Sequence, residues 1–212
     1  RDVAPSRGLG DVYKRQRTDW QKGVLQTAVS SDYNLSVGGQ WKALPYRVSG
    51  SWTGNNGIIK NSSMDRATFG FNLSPKLFDD LLTINANARG AYIKNKYNSD
   101  DALGSAMGFN PTLPVYAEGG NVFKNYTTYV GTAPAGADAA GDKINTLKAI
   151  NPVSLIKEWN NSAEVWQSIG NLQLDLAIPY FRDLHANLNL GYEVSKSDGS
   201  SYWNNGSPMA WK

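Results

Sequence analysis

The sequence feature that most constrains the fold is a pair of alternating segments between Ala67 and Lys94. In Ala67–Ser74, apolar side chains occupy every second position, and Leu82–Lys94 repeats the pattern after a turn over 75–81. Because side chains alternate across a strand, each segment has one apolar and one polar face. The polar face holds mainly Asn, Thr, Ser and Gly. This pattern predicts a hairpin whose polar face lines a wet, confined lumen and whose apolar face meets lipid.

Further alternating segments extend this hairpin into a larger antiparallel sheet. The predicted strands are 33–38, 46–53, 67–74, 82–95, 164–178 and 184–196. The first, third and fifth connections are short, at 39–45, 75–81 and 179–183, whereas the second and fourth are longer, at 54–66 and 96–163. Short turns at one end and long loops at the other are typical of outer-membrane barrels. The prediction is an all-β, antiparallel, up-and-down transmembrane β-barrel fragment of about six strands that forms a curved open sheet.

The long connection over about 97–161 loses all periodicity. A structureless segment of this length is unusual in a compact soluble domain, but barrels carry such loops on their extracellular side. We therefore predict an extracellular loop here, with a short helix around Ser154–Trp159 after Asn151 and Pro152. From 197 onward, Ser197–Ser201 predicts another loop.

Composition excludes several kinds of site. The chain has no cysteine, so neither a disulfide framework nor a thiolate metal site is available. His185 is the only histidine and is predicted on a polar strand face, so we expect no metal, no cofactor and no histidine-based triad. Asp79 and Asp80 are adjacent in a predicted turn, where such residues stabilise the turn, whereas glycosidase carboxylates come from separate elements. We therefore predict that the protein is not an enzyme.

Residues 1–16 differ in rhythm and composition from the rest of the chain. Their end, Asp11–Gln16, resembles translated sequencing-adapter peptides, so we expect an artefact here and exclude it from fold reasoning. These residues hold four of the 21 basic and two of the 18 acidic side chains, which leaves a net charge near +1 over 17–212. A basic nucleic-acid-binding face is therefore not predicted.

An ordered series of short motifs resembles the SusC/RagA family of TonB-dependent outer-membrane transporters. The motifs are Thr18–Gln21, Asp32–Gly39, Pro45–Ser49, Gly57–Lys60, Asn72–Pro75, Asn110–Tyr116 and Asn151–Pro152. The resemblance implies part of a plugged barrel of about 22 strands in the bacterial outer membrane. It further implies import of glycans or peptides with a SusD-like surface lipoprotein. TonB would act through a plug region, which we expect to be missing from these residues.

Four residues are candidates for ligand binding. Tyr116, Tyr126 and Trp159 lie in the predicted long loop, where aromatic rings can stack on sugars or cap a partner, or else pack the loop itself. Arg89 lies on the polar face of a strand and is a candidate lumen charge that tunes what passes.

Two other classes of protein compete with the transporter hypothesis. A soluble β-sandwich carbohydrate-binding module would bury the apolar faces sheet against sheet. A glycan-degrading enzyme domain would need two converging acids, and the sequence offers no such pair.

Overall fold

The structure, a computed structural model, describes residues 18–211 except 43, 118–122, 130–143 and 146. The predicted artefact at 1–16 and the small-residue run from Gly131 to Gly141 lie outside the described residues. Among the described residues, no helix combines the length and apolar content needed to cross a membrane.

Seven strands form one antiparallel sheet. They are β1 (Ser30–Trp41), β2 (Leu44–Asn56), β3 (Ser63–Leu73), β4 (Lys76–Leu77), β5 (Leu82–Tyr97), β6 (Trp159–Ile178) and β7 (Phe181–Trp203). The order across the sheet is β1-β2-β3-β5-β6-β7, and the short β4 pairs with the start of β5. The sheet is not closed, so the predicted fold class is confirmed.

The predicted strand limits were too narrow at the end that carries the long loops. The loop expected from Ser197 is wrong, because β7 runs on to Trp203 and pairs there with the start of β6. For the same reason Trp159 is not a loop residue but the first residue of β6. Side chains such as Asn160, Ser162 and Ser200 show no apolar alternation, so only the backbone ladder reveals that these ends are strands.

The two kinds of connection lie at opposite ends of the sheet, as predicted. The tight end holds the short connection from Trp41 to Leu44, the turn at 179–180 and the 74–81 connection that contains β4. Phe78, Asp79 and Asp80 have φ angles of 57°, 54° and 65°. Aspartate tolerates this left-handed region better than most residues, which accounts for the Asp pair in this turn. The 57–62 and 98–158 connections lie at the other end.

The apolar face of the sheet is uncovered along its length. Phe69 and Leu188 are 59% and 51% exposed, and Ile84 and Leu174 are only partly buried. None of these side chains belongs to the hydrophobic core. In the described part of the chain, the apolar face is therefore not packed against a second sheet.

The buried core lies instead beside the sheet, among three short helices. These are α1 (Trp20–Val24), α2 (Asp101–Gly108) and α3 (Pro152–Lys157). Together with Glu158 and the described residues between α2 and α3, such as Phe109 and Tyr126, they form what we call the loop cluster. Trp20 packs edge-on against Phe109 with ring centroids 4.7 Å apart. The expectation of a structureless 97–161 segment is thus wrong, while the short helix after Asn151 is confirmed. The loop gains its core because α1, which precedes β1, supplies apolar partners from outside it.

Asn151 joins the parts of the loop cluster. Its side chain is fully buried, and its Oδ1 accepts hydrogen bonds from the backbone N–H groups of Val153 and Ser154 at the start of α3. Its Nδ2 donates to the carbonyl oxygens of Val115 and Thr127, at 2.9 and 3.2 Å. One amide side chain therefore caps a helix and ties two loop segments to it.

Replacing Asn151 with Ala is expected to loosen the loop cluster by about 1–3 kcal/mol, since it leaves buried backbone groups without partners. Hydrogen exchange followed by mass spectrometry would then show faster exchange over 151–157 and little change in β5. Asn145→Ala is the matched control, because Asn145 accepts one exposed hydrogen bond, from the N–H of Leu147. Equal exchange in the two variants would contradict this role.

Candidate functional site

The polar face of the sheet carries a row of mainly amide side chains toward its tight-turn end, which we call the amide row. The strand register places Arg47, Asn72, Asn87 and Asn171 side by side on β2, β3, β5 and β6. Asn171 also donates from its Nδ2 to the Oδ1 of Asn189 on β7. Amides both donate and accept hydrogen bonds, so such a row can bind sugar hydroxyls and peptide groups alike.

Arg89 lies next to this row, as expected for a charge on the polar face. The register places it between Gly70 on β3 and Ile169 on β6. It lines a groove of about 600 Å³ together with Ser49, Asn72, Asn87, Asn171 and Glu193. The groove therefore offers one cation, one carboxylate and several neutral polar groups to anything that passes along this face.

Tyr116 and Tyr126 are brought together in the loop cluster. An isolated β-bridge joins them, and their ring centroids lie 5.2 Å apart. Tyr126 is only 3% exposed, whereas Tyr116 is 47% exposed and lines a cleft of about 580 Å³ with Lys60, Val153 and Lys157. The Nζ of Lys157 donates to the Tyr116 hydroxyl over 3.2 Å. Tyr126 thus supports Tyr116 from beneath, and Tyr116 presents the accessible ring.

Trp159 occupies a different place, at the loop end of the polar face. Its ring stacks on that of Trp203 in β7, with centroids 5.5 Å apart and an interplanar angle of 17°. Its Nε1–H donates to the Ser201 Oγ over 3.1 Å. Sequence reasoning missed Trp203, because the pairing of the two tryptophans depends on β7 extending past 196.

The four candidates therefore mark two regions rather than one. Trp159 follows Lys157 by two residues, so it lies close along the chain to the Tyr116 cleft. Arg89 is eight residues before Tyr97, the loop end of β5, which corresponds to about 26 Å along the strand. A ligand that enters from the loop end would meet the aromatic residues first and Arg89 later.

Glu158 is the charged residue buried within the loop cluster. It is 8% exposed, and its Oε2 lies 2.5 Å from the Nζ of Lys124 while its Oε1 accepts from the Tyr126 hydroxyl at 3.2 Å. Burial opposes its ionisation, but hydrogen bonds from Lys124, Asn204 and Tyr126 and the Lys124 charge outweigh this and lower the pKa of Glu158. Burial and then the Glu158 charge raise the pKa of Tyr126. At neutral pH, Glu158 is therefore ionised and Tyr126 is neutral.

Comparison with known proteins identifies the family to which this chain belongs. No family model matches the chain. The TonB-dependent receptor SusC of Bacteroides thetaiotaomicron is 33% identical over 186 residues, which are 84% of this chain and 18% of SusC. The chain belongs to the SusC/RagA family.

Solved structures agree with the SusC/RagA assignment at the level of the fold. The RagAB peptide importer in its closed-closed state matches 87% of this chain at 17% identity, with a TM-score of 0.57. A further structure of the RagAB peptide transporter matches 92% at 18% identity, with a TM-score of 0.58. The chain spans about a fifth of each of these proteins. The open sheet is accordingly one portion of a SusC/RagA-type barrel.

The described residues of this segment contain no group of three or more His, Asp or Glu side chains placed to hold a metal ion. The site consists of amides, aromatic rings and isolated charges. Such groups bind by hydrogen bonding and stacking.

The lowered pKa of Glu158 predicts acid sensitivity of the loop cluster. The unfolded carboxyl titrates near about pH 4.3, so the ionised pair stabilises the cluster above that pH and loses its effect as the pH falls through the lower folded pKa. Trp20 fluorescence, measured in a variant whose other six tryptophans are replaced by phenylalanine, is expected to show loosening that begins below about pH 4. In Glu158→Gln this acid step should be absent. An unchanged acid step in the variant would show that other groups cause it.

Proposed function

We propose that this chain forms part of a TonB-dependent outer-membrane transporter that imports glycans or peptides and acts with a SusD-like surface lipoprotein. The observation that supports this proposal best is that the residues on the apolar face change along the strands from apolar to aromatic and then to charged. Three features of that face are relevant: its aromatic row, its charged row and the height of the apolar band between the two ends.

The aromatic row crosses the sheet near its loop end. The register aligns, from β1 to β7, Tyr33, Trp52, Ala67, Tyr92, Trp166 and Lys196. Tyr33 stacks on Trp52 at 5.7 Å, and Tyr92 packs on Trp166 at 4.6 Å. Tyrosine and tryptophan are enriched at the level of lipid headgroups, because their rings are apolar and their tips are polar. The row has the composition of one girdle of a membrane barrel.

A row of charged side chains follows directly above the aromatic row. Two residues nearer the loops, the register aligns Asp65, Lys94, Glu164 and Asp198 on the same face. The Nζ of Lys94 lies 2.9 Å from the Oε1 of Glu164. The outward surface thus changes from aromatic to ionic within about 7 Å along a strand. An abrupt boundary of this kind separates a lipid-facing band from a wet surface.

The height of the apolar band fits a membrane. From Tyr92 down to Leu82, β5 presents only apolar residues on this face, namely Tyr92, Gly90, Ala88, Ala86, Ile84 and Leu82. Ten residues of strand span about 33 Å, which corresponds to about 25 Å of vertical height at the tilt of about 40° usual in barrels. This is the height of the apolar band of an outer-membrane barrel.

The polar face supplies the proposed path for substrate. We infer that the loop cluster lies on the extracellular side and that Tyr116, Trp159 and Trp203 make the first contacts, with Arg89 and the amide row further along. RagAB is named as a peptide importer, while aromatic rings suit both sugars and peptides. TonB would act through the plug that the family resemblance implies.

The membrane assignment is tested by a charge on the apolar face. Leu190→Arg, near the middle of the band, is expected to cost about 2–4 kcal/mol in the assembled barrel. The variant should therefore be depleted from the outer-membrane fraction and lose heat-modifiable migration on a gel. Asn187→Arg on the polar face of the same strand is the control and should assemble normally. Normal assembly of both variants would argue for a soluble protein such as a β-sandwich.

The ligand path is tested at the stacked tryptophans. Trp159→Ala and Trp203→Ala should each weaken binding about two- to twelve-fold, the value of one aromatic stacking contact. Titration of the purified transporter with panels of oligosaccharides and mixed peptides measures this and distinguishes the two substrate classes. Trp41→Ala serves as the control, because Trp41 is exposed at the tight-turn end. Unaltered binding in all three variants would remove Trp159 and Trp203 from the path.

A further inference from the structure

A groove of about 550 Å³ crosses the apolar face just below the aromatic row. Its walls are Phe69 on β3, Tyr92 on β5, and Trp166 and Val194 on β6 and β7, and Gly90 forms part of its floor. A Cβ built at Gly90 would meet no heavy atom within 4 Å, so the floor is open toward the outside. The facing side chains are almost all apolar. The lining of the groove suits a hydrocarbon chain rather than a polar solute.

Both signs of charge lie at the upper end of this groove. Lys196 closes the aromatic row, and its Nζ lies 2.9 Å from the Oδ2 of Asp198. The charged row adds Lys94 paired with Glu164, and Asp65 beside Lys94. These five side chains comprise two cations and three carboxylates within neighbouring strands. Lys96, on the same face and two residues nearer the loops than Lys94, adds a third cation. A headgroup at this end of the groove therefore meets both signs of charge, and a zwitterion finds a partner for each of its charges.

We propose that this groove binds one lipid with a phosphoethanolamine headgroup. Its acyl chain lies over Gly90 between Phe69 and Trp166, its phosphate meets Lys196, and its ammonium group meets Asp198 and Glu164. The Lys196–Asp198 and Lys94–Glu164 pairs are exposed, and exposed pairs contribute little energy, so they can rearrange around a headgroup at small cost. This inference rests on the proposed membrane location of the sheet.

The test compares two lipids that differ only in headgroup. Full-length protein, purified in mild detergent, is incubated with phosphatidylethanolamine or phosphatidylglycerol of identical acyl chains, and bound lipid is counted by native mass spectrometry. We expect the wild type to retain phosphatidylethanolamine preferentially. Lys196→Gln should weaken that binding about fivefold, the effect of one lysine near a headgroup.

Gly90→Leu and Gly50→Leu form a matched pair that tests the groove itself. Both glycines lie on the same register row on either side of Phe69, and a Cβ at either position meets open space. Gly90 belongs to the groove and Gly50 does not. Gly90→Leu should therefore lose retention of both lipids, while Gly50→Leu should behave like the wild type. Heat-modifiable migration confirms that each variant is folded before it is compared.

Three results would overturn the inference. These are equal retention of the two lipids by the wild type, preferential retention of phosphatidylglycerol, and identical behaviour of Gly90→Leu and Gly50→Leu. If the wild-type protein is found in the outer membrane with any of these results, the lipid site is wrong and the transporter proposal stands. Absence of the wild type from the outer membrane would reject both.

Discussion

Strand register is the constraint on which the rest of the structure depends. Because the side-chain period is two, a slip of one residue between β5 and β6 would carry Leu172 and Leu174 to the polar face and Asn171 to the apolar face. The observed register instead keeps the aromatic row, the apolar band and the amide row each intact across the sheet. In the proposed barrel, lipid contact on one side and a wet lumen on the other would both follow from this one alignment.

The sheet and the loop cluster are stabilised by different interactions. The sheet is held by its backbone ladder and leaves large apolar side chains exposed, an arrangement that water would not favour but hydrocarbon does. The loop cluster has an ordinary buried core in which Trp20 and Phe109 pack, Asn151 provides hydrogen bonds, and Glu158 is paired with Lys124. The cluster can therefore hold the accessible ring of Tyr116 at the same end of the sheet as Trp159, the first residue of β6.

The sequence was sufficient for the sheet but not for the loop cluster or the complete site. Alternation over Ala67–Leu73 and Leu82–Tyr92 is a local signal, so strand existence, faces and the order of turns could be predicted. The packing of α1 against α2 joins residues about 80 positions apart, and the buried Tyr126 donates to Glu158, which lies 32 positions further along the chain. No local period records such contacts. Trp203 was missed because the ends of β6 and β7 are polar and are defined only by their hydrogen-bonded pairing. The family resemblance indicated a transporter without indicating which rings are accessible.

The most direct measurement of the central idea is the accessibility of nitroxide labels along β7 in a lipid bilayer. Single labels from position 186 to 194 would be probed with oxygen, which concentrates in hydrocarbon, and with a water-soluble nickel chelate. Outward apolar side chains predict oxygen maxima at Leu188, Leu190 and Tyr192 and nickel maxima at Asn187, Asn189 and Glu193. Labels that are shielded from both reagents at Leu188, Leu190 and Tyr192 would place that face inside a protein core and contradict the account.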